Sequence, residues 1–128
     1  MYNIYGFLYP NNNFDLDLAA RRLNERIANS SVNRQENVVT ISSGEWSIFI
    51  ADVTGDHVSG ETMGITDRIA GFEQADAFSL AANPRRIEIW TEDPDPMMEH
   101  FNDYLFAVEV LKSFEGVVVI DPNEPALL

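Results

Sequence analysis

The stretch Asn37–Val53, NVVTISSGEWSIFIADV, constrains the fold more than any other part of the chain. Two runs rich in β-branched and aromatic residues, NVVTIS and EWSIFIADV, flank a Ser-Gly pair of the kind a tight reversal favours, so an antiparallel hairpin is expected. Alternate residues of a strand share a face. Trp46, Ile48 and Ile50 therefore point one way, and Ser47, Phe49, Ala51 and Val53 the other. Both faces are largely apolar, which places this strand inside a sheet with cover on each side.

The rest of the chain supplies that cover. Tyr2–Tyr9, YNIYGFLY, reads as a strand stopped by PNNN. Leu16, Ala20, Leu23 and Ile27 then recur at helical steps, with Asn13 or Asp15 to cap the start and Asp15 and Asp17 suiting the positive end of the helix dipole. After a loop, Thr54 to Gly60, a helical stretch carries Ile65, Ile69 and Phe72 and ends at Asn83-Pro84. RRIEIWT (Arg85–Thr91) alternates as a strand, FNDYLFAVEVLKSFEG is the clearest helix, and VVVID follows its Gly116 stop. The order β-α-β-β-α-β-α-β predicts a single α+β domain over residues 1–122 with a short tail, 123–128. About five strands in a mixed or antiparallel sheet would carry two to three helices, and a ferredoxin-like variant fits that order.

Size and composition agree with one ordinary domain. A chain of 128 residues hides roughly two-thirds of its extended surface on folding. At 45% hydrophobic content, with 7 Gly, 6 Pro and no internal repeat, it is not a disordered sequence. No apolar run approaches the ~18 residues of a membrane span, and the N-terminus lacks the pattern of a secretory signal. The absence of cysteine excludes disulfides, thiolate nucleophiles and Cys-ligated metals, and a cytoplasmic location is expected.

Charge is the strongest compositional signal. The net charge of −13 is concentrated toward the end: residues 87–128 hold ten acids against Lys112 alone. Such a surface repels nucleic acid and anionic membrane, and suits a basic protein or a cation.

The densest acidic stretch is TEDPDPMMEH, residues 91–100. Asp95 before Pro96 has the form of a helix N-cap with proline in the first turn, and Asp93, Asp95 and Glu99 all favour the positive end of a helix. As a metal site the stretch matches no EF-hand loop, and His100 has no histidine one turn away. No cofactor is expected. A second stretch, WSIFIADVTGDHVSG, resembles the strand end of class III nucleotide cyclases and that of SpoIIE-type metal-dependent phosphatases, where an aspartate binds metal; the resemblance implies that role for Asp52. The matching strand end, with the Thr54-Gly55 pair after it, covers under a tenth of the chain. After Gly55, Asp56 and His57 depart from both patterns, and the Gly-Gly-Asp motif of the phosphatases is missing. No nucleophile elbow, P-loop, dinucleotide fingerprint or zinc-protease motif occurs.

A helical wheel from Pro96 puts Met97, Met98, Phe101, Tyr104, Leu105, Val108 and Leu111 on the core side. Phe106 and Val110 then fall outward above Glu99 and Asp103. An apolar pair on the solvent side needs cover, from the tail, from the Ile69/Phe72 helix or from a partner. Arg21, Arg22 and Arg26 decorate helix one, where ion pairing is the common fate of such side chains.

The reading these features support is a non-enzymatic, acidic protein-binding module that occludes a basic partner. In size and charge it resembles bacterial toxin-neutralising immunity proteins. Glu92, Asp93, Asp95, Glu99, Asp103, Phe106 and Val110 form its expected recognition surface. The alternatives are a metal-assisted hydrolase on Asp52, Asp56 and His57, and a structural homodimer without other partners.

Overall fold

A computed structural model describes residues 2–128. Seven strands form one antiparallel sheet in the order β2-β3-β4-β5-β1-β6-β7. They are β1 (Asn3–Leu8), β2 (Ser31–Gln35), β3 (Val38–Ser43), β4 (Trp46–Thr54), β5 (Arg85–Trp90), β6 (Val117–Asp121) and β7 (Ala126–Leu127). Four helices complete the fold: α1 (Leu16–Arg26), α2 (Asp56–Thr66), α3 (Gln74–Ala81) and α4 (Phe101–Lys112). The α+β class is as expected, with two more strands and at least one more helix than the sequence suggested. The ferredoxin-like order does not form, because β5 sits between the hairpin and β1.

The β3–β4 hairpin turns on Gly44, whose φ of +61° suits glycine. Trp46, Ile48 and Ile50 enter the main core with Ile4, Leu8, Ile87 and Ile89, and α1 and α4 close this first face. Helix α1 is capped as the sequence indicates: the Asp15 carboxylate accepts the Leu18 amide at 2.8 Å, and Leu16, Ala20 and Leu23 are buried. Between α1 and α4, Arg26 pairs with Glu109 and stacks 4.5 Å from the Phe106 ring, while Arg22 covers Phe114 at 4.7 Å. Arg22 and Arg26 are thus engaged within the chain, while Arg21 stays exposed.

The second face is finished differently. Ile69 and Leu80, from the α2–α3 segment, pack with Phe7 and Ile120 into a smaller cluster, joined by Tyr5, Phe72 and Val118. Arg86, buried at the edge of this cluster, pairs with Glu61 of α2 and lies 4.3 Å over the Tyr5 ring. The second faces of β3 and β4 carry Thr40 and Phe49, which stay only half-buried.

Several expectations are corrected. β2 has five exposed residues and no apolar alternation, so nothing in its composition marked it as a strand. The expected loop 54–60 is mostly the start of α2, and Ile69 and Phe72 lie in the α2–α3 turn rather than on a helix. The expected tail returns as β7, with Leu127 opposite Ile120, and does not cross α4. α4 ends at Lys112, short of the expected stop at Gly116, which takes a left-handed φ of +75° just before β6, where a Cβ would stand 2.8 Å from the Cα of Asn12. No helix of the described residues is long and apolar enough to cross a membrane.

Candidate functional site

The acidic segment after β5 is not the first turns of a helix. Pro94 and Pro96 remove two backbone donors, Met98 takes a left-handed conformation at φ +55°, and α4 begins only at Phe101. Asp95 does act as a cap, but of this loop. Its carboxylate accepts the amides of Glu99 and His100, both at 2.9 Å, and the Tyr2 hydroxyl at 2.6 Å. Burial works to raise the Asp95 pKa, yet these three donors stabilise the anion and hold it below the usual carboxylate value. Burial and the same bond to Asp95 push Tyr2 up to about 12. The loop is further rooted to the start of β1, where Tyr2 N donates to Thr91 Oγ1 and Thr91 N to Tyr2 O.

Beneath the loop lies an aromatic floor. The His100 ring stacks on Trp46 with centroids 4.0 Å apart and planes within 4°, and Tyr2 meets Trp46 edge-on at 6.2 Å. Tyr104 lies 5.1 Å from Tyr2. His100 Nδ1 is 3.3 Å from the Asp103 carboxylate, which fixes that acid within the chain. The indole N–H of Trp46 is buried and has no acceptor.

Above this floor opens a cleft of about 360 Å³. Glu45, Asp93, Asp95 and Glu99 line it together with Trp46, His100, Pro94, Pro96 and Met97, and no lysine or arginine does. Four carboxylates set among apolar surfaces offer both halves of what a long cationic side chain presents, a charged head and an aliphatic stem. With Asp95 committed to the loop, Glu45, Asp93 and Glu99 are the acids left to face a ligand.

The residues expected from sequence divide accordingly. Asp93, Asp95 and Glu99 come together in the cleft, and Glu92 faces a separate groove described below. Asp103 pairs with His100. Val110 is buried, only 4% exposed, and Phe106 lies half-buried under Arg26, so the outward apolar pair on α4 does not exist. The reason is a rotated helix: α4 buries Ala107, Val108, Val110 and Leu111, while Leu105 and the pre-helical Met97 and Met98 are exposed. Counting the wheel from Pro96 assumed a helix that starts five residues too early.

The metal-site alternative is not assembled either. Both oxygens of Asp52 are engaged by Arg85, with bonds of 2.7 to 3.0 Å. Asp56 and His57 open α2, where the His57 ring folds against Gly55. Among the described residues no group of three or more His, Asp or Glu side chains is placed to hold a metal ion.

Sequence reasoning missed Glu45 and Trp46, which were assigned to the hairpin and its core, and Met97, assigned to the buried side of α4. The two prolines were the available signal for Met97. Nothing local announced that the hairpin end would meet the loop. Comparison with protein-family models, with curated proteins and with solved structures finds no match.

Proposed function

We propose that this protein is a non-enzymatic, acidic protein-binding module that occludes a basic partner, in the manner of toxin-neutralising immunity proteins. The observation that carries the reading is the cleft between the hairpin end and the 93–100 loop, where Glu45, Asp93 and Glu99 line the walls around the Trp46–His100 stack and no lysine or arginine does. Lysine or arginine of the partner enters this cleft with its stem against Trp46 and Met97 and its head among the carboxylates. The remaining negative charge, −13 in all, steers the encounter more than it fixes affinity. The partner is thus basic, and the working compartment is the cytoplasm.

The test is titration with a short basic peptide at low salt, comparing two variants of equal net charge. Asp93→Lys with Glu99→Lys alters the cleft, whereas Asp67→Lys with Glu73→Lys alters the α2–α3 turn. The cleft pair is expected to weaken binding about tenfold or more, consistent with losing two close charge contacts. Equal weakening by both pairs would mean that only overall charge matters, and would overturn the reading.

A further inference from the structure

The second face of the sheet contains a site that the cleft does not use. Phe49 of β4 and Trp90 of β5 are paired across the strands and stack with centroids 5.3 Å apart and planes within 15°. Both remain half-buried, because α2 and α3 pack on the β1–β6 side of this face. Thr40 and Val38 of β3 continue the surface, and Glu36 and Glu92 stand at an open groove of about 800 Å³ with no basic side chain lining it.

Four other aromatic rings of this chain are each covered by an arginine. Arg22 lies over Phe114, Arg26 over Phe106, Arg85 over Phe14 and Arg86 over Tyr5. Among the described residues no lysine or arginine covers the Phe49–Trp90 stack. We infer that this groove takes an arginine side chain of the basic partner, its guanidinium plane against Trp90 and its N–H groups directed to Glu92 and Glu36. The inference rests on the proposed binding of a basic protein and adds a second contact point to it.

Charge complementarity selects the occupant. A second copy of this chain would bring another −13 to the groove, and four of its arginines are held by its own Glu109, Asp17, Asp52 and Glu61. Arginine suits the site better than lysine, because a planar guanidinium stacks on a ring while keeping donors in its plane for carboxylates, and an ammonium does not. The loop that begins after Trp90 carries Glu92 to the groove and Asp93 to the cleft, so a partner spanning that loop engages both.

The chain's two tryptophans separate the sites. In Trp46→Phe the fluorescence reports only Trp90 and the groove; in Trp90→Phe it reports only Trp46 and the cleft. Titrating a short oligoarginine peptide is expected to give a saturable Trp90 response, with oligolysine of equal length about five- to tenfold weaker there. Glu36→Gln with Glu92→Gln, both at exposed positions, is expected to weaken the Trp90 response and spare that of Trp46. A Trp46 response without a Trp90 response overturns the groove and leaves the cleft reading intact. A Trp90 response alone supports the groove while the cleft reading falls, and silence from both overturns both. A Trp90 signal that depends on protein concentration without peptide would make the occupant a second copy and overturn the inference. Equal response to oligolysine would overturn the arginine assignment.

Discussion

The two faces of the sheet are built to different standards of closure. On the first, α1 and α4 seal a continuous core from Val39 to Val119, and arginines clamp the seam between the helices. On the second, the α2–α3 segment joins a cluster of only four buried residues and leaves Thr40, Phe49 and Trp90 half-open. A sealed face contributes stability. An open one leaves aromatic surface and carboxylates free to meet something else across its strands, whereas the sealed face offers a ligand its cleft at the hairpin end, beside Trp46.

The largest effect should come from the sealed face. Leu111→Ala, at a fully buried position of α4, is expected to cost about 2–5 kcal/mol in denaturant unfolding. Leu80→Ala, equally buried but on the short α3, should fall in the lower part of that range, because its small cluster collapses more readily. Equal losses would erase the distinction between the faces. Next comes Gly116→Ala, where the left-handed backbone alone costs about 1–2 kcal/mol and the approach to Asn12 adds to it.

Smaller effects follow pH. Asp95 has its folded pKa below the unfolded one, so its contribution is complete above the ordinary carboxylate value and fades as acid protonates it. Tyr2 is raised, so its contribution is complete below pH 10 and is lost as the pH climbs toward about 12. Tyr2→Phe should therefore move the acid unfolding midpoint, followed by circular dichroism, to higher pH. An unchanged midpoint would show that the loop is not anchored through this bond. The smallest stability effect is expected for Glu36→Gln with Glu92→Gln, within about 0.5 kcal/mol of the parent in the same denaturant assay. A larger loss would place the groove acids in the fold instead of at its surface.

What the sequence made legible was whatever depends on neighbours along the chain. The Asp15 cap, the buried step Leu16, Ala20 and Leu23, and the Gly44 hairpin all follow from local pattern and are all present. What depends on distant partners was not legible. β2 is a strand only because β3 offers it an edge, and β7 only because it doubles back on β6. The acids of 92–99 were visible as a cluster, but the cleft needed Glu45 and Trp46 from half a chain away. Phe106 was misplaced for a related reason: two prolines delayed the helix, and Arg26 of α1 supplied the cover that a partner seemed needed for.

The place of β1 in the sheet carries a consequence for assembly of the chain. Ile4 lies opposite Ile89, and Tyr5 opposite Ile120, so β1 is flanked on both sides by strands far along the chain. On a ribosome β1 waits without a strand partner until β5 has been made, and sheets closed through such long chain separations form slowly. Translation of this protein thus leaves a greasy segment without neighbours until β5 and β6 arrive to enclose it.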